Sequence, residues 1–418
     1  MGACGIMFSN CIAGMENRII KTITERIVMD NITTVFLMNK LWLQENTIEH
    51  VLVLLQSKGD NLTTLVVRED RMPIRGRNIT YQTKIGALFN FIQNKKSLRN
   101  IAIDLSSLGL DINRDYLINS WPISSYLNFE HITSLRLHNS VRHQSLLVDF
   151  FLFLEGFTML EHLSFSVRLE VDESDHIYMV ELHSKLSAFI VKSKKLRSLQ
   201  LGWVQPYSPD VDGIKAAIEQ SKTLEHLSLR FPALDNEDIQ SVENYLPILP
   251  GSVKSFVWKK MDINDWVLVG HFLQMNTEST LERLHLKMDN RQVPNQRAQF
   301  SRRFFEAATR LRYLCLDGIG QKEVLCDLAD MIGCNKSIER LELRDYRCEP
   351  HISMDWLNQV AQCPTLGTII MYLNPDCLNS INDNFTIIIP DGCPFSLWST
   401  KKNQGRYKPI KCVIIRDV

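Results

Sequence analysis

The stretch Thr280–Asn290 reads T-L-E-R-L-H-L-K-M-D-N. Its leucines, Leu281, Leu284 and Leu286, fall at positions 0, +3 and +5, with charged or polar residues between them. Fifty-seven residues earlier the chain carries nearly the same text, T-L-E-H-L-S-L-R over Thr223–Arg230. Self-similarity at a fixed spacing is the mark of a repeat architecture. An apolar residue at 0, +3 and +5 recurs from Ile32, Leu62, Leu98, Ile132, Leu160, Leu196, Leu224, Val253, Leu281, Leu311, Ile338 and Leu366. The successive spacings are 30, 36, 34, 28, 36, 28, 29, 28, 30, 27 and 28 residues. From Leu196 onward the period is tight, and three earlier units carry six to eight extra residues.

The short L-x-L portions alternate with period two and predict strands. Between them, apolar residues recur at helical spacing: Ile214, Ala217 and Ile218; Phe300, Phe304 and Ala308; Val324, Leu328 and Met331. Asp262 and Asn264 are candidate helix caps, and Gly333 is placed to end a helix. Each unit is therefore a short strand followed by a helix of about ten residues. Such a unit cannot bury its own apolar face, so neighbours stack and their strands line up in parallel on the inside of a curved solenoid. The extra residues, near Arg68–Lys84, Gly109–Glu130 and Val167–Lys185, map to protruding loops.

This pattern resembles the leucine-rich-repeat superfamily, and its 28-residue strand–helix period resembles the ribonuclease-inhibitor-like class. The resemblance spans about Ile32 to Gly392 and implies an α/β leucine-rich-repeat solenoid, a horseshoe with a parallel concave sheet and convex helices. The family usually places Asn or Cys near +8, where it forms a buried hydrogen-bond ladder. Here that position holds Asp70, Ser106, Ser140, Arg168, Val204, Pro232, Met261, Asp289, Ile319, Tyr346 and, once, Asn374. The organisation read from the sequence is a helical N-terminal cap over 1–30 with an amphipathic helix at Ile19–Met29, about twelve repeats over 31–375, and a C-terminal cap over 376–418. The last apolar run, Ile410–Ile415, is expected to pair back onto the sheet.

Alternation along each strand maps the exposed face. If 0, +3 and +5 point into the core, then +2, +4 and +6 point to the concave surface. The middle units offer Ser134, Arg136, His138, His162, Ser164, Ser166, Ser198 and Gln200 there. Further on, the same positions carry His226, Arg230, Lys259, Arg283, His285, Lys287, Arg340 and Arg344, against only Asp317 and Glu342. Tyr313 and Tyr372 fit as flanking anchors, since Tyr and Arg are favoured at interface hot spots. Lys+Arg and Asp+Glu are equal at 47 each, so this cationic face is local rather than a property of the whole chain. Aligned strands bring such cations together, where they attract an acidic partner.

The remaining signals are largely exclusions. The sequence contains no G-x-x-x-x-G-K-[ST], G-x-S-x-G, H-E-x-x-H or G-x-G-x-x-G motif. Cys315 lies inside a repeat strand and is expected to be a surface thiol rather than a nucleophile. Ten cysteines include no C-x-x-C pair, and no metal or cofactor is expected. No apolar run reaches the roughly 20 residues of a membrane span. With no signal peptide read, a cytoplasmic or nuclear protein with reduced thiols is expected, not a secreted one. Stacking aromatics are scarce, which weighs against nucleic acid. The reading is a non-catalytic scaffold for a protein with an acidic surface. Two alternatives share such repeats: an F-box-like substrate-recognition subunit of a ubiquitin ligase, with Met15–Leu43 as the place for a degenerate box, and a GTPase activator resembling the Ran-activating class.

Overall fold

The computed structural model describes residues 4–8, 32–38, 47–58, 60–68, 81–104, 128–141, 154–169, 176–202, 211–230, 247–261, 266–276, 279–288, 308–318, 322–344, 356, 359–360, 362–373, 385–388 and 410–416. They fall into two compact units, Met1–Trp203 with Tyr207–Leu224, and Val204–Pro206 with Glu225–Val418.

In the first unit, seven strands among the described residues lie side by side in chain order. They are β1 (Cys4–Phe8), β2 (Ile32–Met38), β3 (Thr64–Arg68), β4 (Asn100–Asp104), β5 (Ser134–Val141), β6 (His162–Leu169) and β7 (Ser198–Leu201), and every pairing is parallel. Among the described residues this unit has four helices: α1 (Thr47–Lys58), α2 (Tyr81–Asn94), α3 (His176–Lys192) and α4 (Val211–Gln220). The second unit holds β8 (His226–Arg230), β9 (Ser255–Met261), β10 (Arg283–Met288), β11 (Tyr313–Asp317), β12 (Arg340–Arg344) and β13 (Thr368–Leu373), again parallel and in order. Two further strands follow, β14 (Phe385–Ile388) and β15 (Ile410–Arg416), and of these β15 reverses the direction. β15 pairs antiparallel with both β13 and β14. The second unit's helices are α5 (Trp266–Met275) and α6 (Lys322–Cys334). Each unit is a stretch of α/β solenoid with its parallel strands in chain order.

The 0/+3/+5 rule explains where the strands lie. Eleven of the twelve strands β2–β13 begin at the +2 residue of a sequence match, and β2 begins at its 0 residue. In β10, Leu284 and Leu286 are wholly buried and Leu281, just before it, nearly so. The same holds for Leu311, Leu314 and Leu316, and for Ile338, Leu341 and Leu343. Apolar burial of this kind stabilises by about 25 cal/mol per Å² removed from water, and stacking places one unit's leucines against the next.

A second regularity holds the strand entries together. The +1 carbonyl of one unit accepts the +1 and +2 amides of the next. Glu225, Lys254, Glu282, Arg312 and Glu339 each do so in the second unit, at 2.8–3.1 Å. Thr63, Arg99, Thr133 and Glu161 do so in the first. These backbone groups are thus paired where the strand ladder has not yet begun.

The Asn or Cys expected near +8 occurs there only once, at Asn374, and hydroxyls one residue before the first leucine perform a comparable task. Thr223, Thr280, Ser337 and Thr365 donate to the carbonyls of Leu196, Val253, Leu311 and Ile338, each the first apolar residue of the preceding unit. Ser97 and Ser252 occupy the same position but find no hydrogen-bond partner among the described residues. Two buried asparagines add to this. Asn335 accepts from the amides of Ser337 and Ile338 at 2.7 and 2.9 Å, and Asn276 accepts from the Leu249 amide and donates to the Phe272 carbonyl.

Three expectations are refined. Of the insertion placed at Val167–Lys185, Val167–Leu169 extends β6 and 176–185 are helical in α3, the longest described helix. The extra residues there lengthen a strand and a helix rather than forming only a loop. Gly333 is the penultimate residue of α6, close to the end expected for it, and a Cβ there would stand 2.6 Å from the Gln359 carbonyl oxygen. It is glycine because backbone approaches closely, not because of a left-handed turn. The one described glycine with positive φ is Gly318, at 86°, whose amide donates to the Arg344 carbonyl just past β11. Finally, β1 is a strand the repeat period does not predict, paired in parallel with β2. Ile19–Met29, Asp262, Asn264 and most of Met15–Leu43 lie outside the described residues, as do Phe300 and Phe304.

Candidate functional site

Register places the sequence-derived candidates in rows across the second unit. The +2 row runs His226, Ser255, Arg283, Tyr313, Arg340, Thr368. The +4 row runs Ser228, Val257, His285, Cys315, Glu342, Ile370, and the +6 row Arg230, Lys259, Lys287, Asp317, Arg344. Tyr372 stands apart: the β12–β13 register ends at Glu342↔Ile370, and Tyr372 is paired with Lys411 of β15. Its side chain lies outside the described residues.

Exposure differs between rows. In the +2 row, His226, Arg283 and Arg340 are exposed and Ser255, Tyr313 and Thr368 half-buried. In the +6 row, Lys287 and Arg344 are exposed and Arg230 and Lys259 half-buried. The +4 row between them is sunken: Ser228, Cys315, Glu342 and Ile370 are buried, and Val257 and His285 half-buried. The polar face is therefore a trough crossing the strands, with cationic walls and a buried floor. The first unit's +4 row, Phe36, Val66, Ala102, Arg136, Ser164 and Gln200, has no buried member.

The two acids that looked like exceptions in the sequence organise this trough. Asp317 is 8% and Glu342 4% exposed, which makes them the most buried charges on the face. Lys287 Nζ lies 3.0 Å from Asp317 Oδ2, and His285 Nε2 lies 3.7 Å from the same oxygen. At 3.7 Å the ring acts through its charge distribution rather than as a hydrogen-bond donor. His285 first, and then Lys287, hold the Asp317 carboxyl down to about 2 against the opposing effect of burial. Glu342 accepts from the Tyr313 hydroxyl and from Arg344 Nε, with Arg340 Nη2 at 4.0 Å. Burial alone would raise the Glu342 carboxyl. The hydrogen bonds from Arg344 and Tyr313, with the charges of Arg344 and Arg340, outweigh burial and keep it below its ordinary range. Arg340 also lies over the Tyr313 ring, 5.4 Å from the centroid, a cation–π contact.

Arg283 differs from these. It is exposed at the middle of the +2 wall and takes no ion-pair partner among the described residues. Across β10–β12, four cations (Arg283, Lys287, Arg340, Arg344) stand against two carboxylates, so with His285 neutral the surplus is two unit charges.

Cys315 is corrected from surface thiol to buried thiol. It is wholly inaccessible, and burial pushes it up to about 12, so it is neither a nucleophile nor an exposed redox site. Tyr313 is also raised, by burial first and then by its bond to Glu342. Both shifts make the neutral form the folded one. Their contribution is whole below the unfolded-state pKa and is lost as pH rises, from about 9 for the thiol and about 10 for the phenol. Each group costs up to about 1.4 kcal/mol per pH unit within its window. The melting temperature is therefore expected to fall progressively above pH 9, and Cys315→Ala to flatten the decline between pH 9 and 10. Parallel melting profiles for the two proteins would remove the thiol from the explanation.

Elsewhere, a recess of about 420 Å³ lies at the strand entries, lined among others by Thr280, Glu282, Arg310, Arg312, Ser337 and Glu339. Its hydroxyls at Thr280 and Ser337 are committed to backbone carbonyls, and Arg312 pairs with Glu339 at 3.2 Å. Among the described residues no cluster of three or more His, Cys, Asp or Glu is arranged to hold a metal ion, and no helix is long and apolar enough to cross a membrane.

No family model matches the chain, and no curated protein matches it. Among solved structures 54 chains match. One is a crystal structure of a TLR13–ssRNA13 complex, at 14% identity and a TM-score of 0.28, over 86% of this chain and 56% of that one. This chain thus spans little more than half the length of that structure. The fold class rests on the strand register and burial pattern of this chain itself.

Proposed function

We propose that this protein is a non-catalytic interaction scaffold whose second unit holds a protein with an acidic surface against the +2, +4 and +6 rows. The observation that carries this reading is the exposed Arg283, without an ion-pair partner among the described residues, on a stretch of the face, β10–β12, whose cations outnumber its carboxylates two to one. Solenoids present extended surfaces of this kind to partners, and arginine on such a surface binds carboxylates bidentately. Of the leucine-rich-repeat classes, the 27–30-residue strand–helix period of the second unit supports the ribonuclease-inhibitor-like one.

The test is affinity purification of the intact chain, followed by measurement of the recovered partner's affinity. Arg283→Glu is expected to weaken binding about tenfold or more, because it puts a like charge opposite the partner's acids. Raising the ionic strength is expected to weaken it further, since exposed charges are screened within about 10 Å at 0.1 M salt. Lys287 and Arg344 are poorer choices for reversal, because each is bound to an acid of its own chain. An affinity that ignores both Arg283→Glu and salt would remove this face from the function.

A further inference from the structure

The spacing of the cations along the trough defines the kind of segment that fits it, given the interaction face proposed above. Arg283, Tyr313 and Arg340 are register partners on three consecutive strands, β10, β11 and β12. Neighbouring strands lie about 4.8 Å apart, so the two arginine backbones stand roughly 9.6 Å apart along one wall, with the tyrosine ring midway. The opposite wall, four residues further along each strand, is about 13 Å away, which is room for one extended chain.

A chain lying along this trough crosses the strands at right angles. In a β conformation, residues three apart point to opposite sides, and residues two apart are only about 6.7 Å apart. In polyproline II, which has three residues per turn and rises 3.1 Å per residue, residues i and i+3 share a face and lie about 9.3 Å apart. That repeat matches two strand spacings. Proline rings between the two acids would meet Tyr313, and polyproline II segments are commonly read by aromatic-lined grooves. The surplus on this face is two positive charges, so two carboxylates balance it. Arg340 is held in place by Tyr313 and Glu342, which lowers the ordering cost of binding. We infer that the trough over β10–β12 takes an acidic, proline-rich segment in polyproline II form, with carboxylates three residues apart on Arg283 and Arg340 and proline against Tyr313. This inference rests on the acidic-partner reading of the same face.

The probes are four labelled nine-residue peptides, with fluorescence anisotropy on the full chain as readout. One carries Glu-Pro-Pro-Glu, one the same residues with adjacent glutamates, one Glu-Gly-Ser-Glu, and one Gln-Pro-Pro-Gln. The Glu-Pro-Pro-Glu peptide is expected to bind about tenfold tighter than the adjacent-glutamate peptide, and Arg283→Glu or Arg340→Glu to remove most of that difference. Arg136→Glu, on the first unit's +4 row, should leave it unchanged. Equal binding of all three acidic peptides, still lost in Arg283→Glu, overturns the spacing and conformation while leaving the acidic-partner reading intact. No binding of any acidic peptide overturns the inference as well. The partner's own dependence on Arg283 then decides the broader reading separately.

Discussion

Trp258→Ala is expected to cost the second unit about 4 kcal/mol, measured by urea denaturation. Trp258 occupies the +5 position of β9, where neighbouring units carry Leu229 and Leu286, and it is 1% exposed. It stands edge-on to Phe256 at 6.1 Å and to Phe272 of α5 at 6.0 Å, while those two phenylalanines stack on each other at 4.5 Å. Truncation removes a buried indole and leaves a cavity that backbone pairing on both sides prevents from collapsing. It also loosens the contact that ties α5 to its strand. In a stacked array, stability is the sum of unit and nearest-neighbour terms, so a fault in β9 is felt by the units on β8 and β10. Trp258→Leu restores the residue type of the neighbouring rows and is expected to lose clearly less. A loss below about 1 kcal/mol for the alanine variant would mean that this aromatic cluster is not the unit's core.

The strands were legible in the sequence because their cause is local. Burial of 0, +3 and +5 forces a period of two, and Leu281, Leu284 and Leu286 announce β10 without reference to anything distant. The rows of the polar face followed from the same periodicity, so the sequence placed Arg283, Tyr313 and Arg340 in one row. What it did not reveal was which charges are committed. Lys287 and Asp317 are 30 residues apart and meet because both are +6 residues of adjacent units. That pairing is implicit in the repeat alignment but emerges only when neighbouring units are read across rather than along. The burial of Cys315 was not legible, since a residue on the polar face is normally wet. Its register partner in the same row, Glu342, is buried as well, and the repeat alignment gives that neighbour but not its burial. The hydroxyl ladder was visible in principle, as Thr or Ser directly before the first apolar residue at Thr223, Thr280, Ser337 and Thr365. An expectation centred on +8 looked past it.

The distinction between committed and available charge gives Glu342→Ala two effects of opposite sign. The substitution takes away the acceptor of the Tyr313 hydroxyl and of Arg344, and the counter-charge of Arg340. Breaking a fully buried pair costs about 3–5 kcal/mol because the surviving charge is stranded. Here the arginine side chains are 45% and 51% exposed and stay hydrated, so a loss of about 2 kcal/mol is expected, mainly from the desolvated hydroxyl and the vacated volume. Glu342→Gln keeps the volume and an acceptor, and should lose less. Acidic ligands should respond in the other direction. With Glu342 neutral the surplus over β10–β12 rises from two charges to three, and Arg344 is released to the trough. An acidic peptide should therefore bind Glu342→Gln more tightly than the parent, with a steeper salt dependence. Reduced stability with unchanged or weaker peptide binding would mean that Glu342 is needed to hold the arginines in their binding positions. The buried acid would then be part of the recognition apparatus and not merely a brake on its charge.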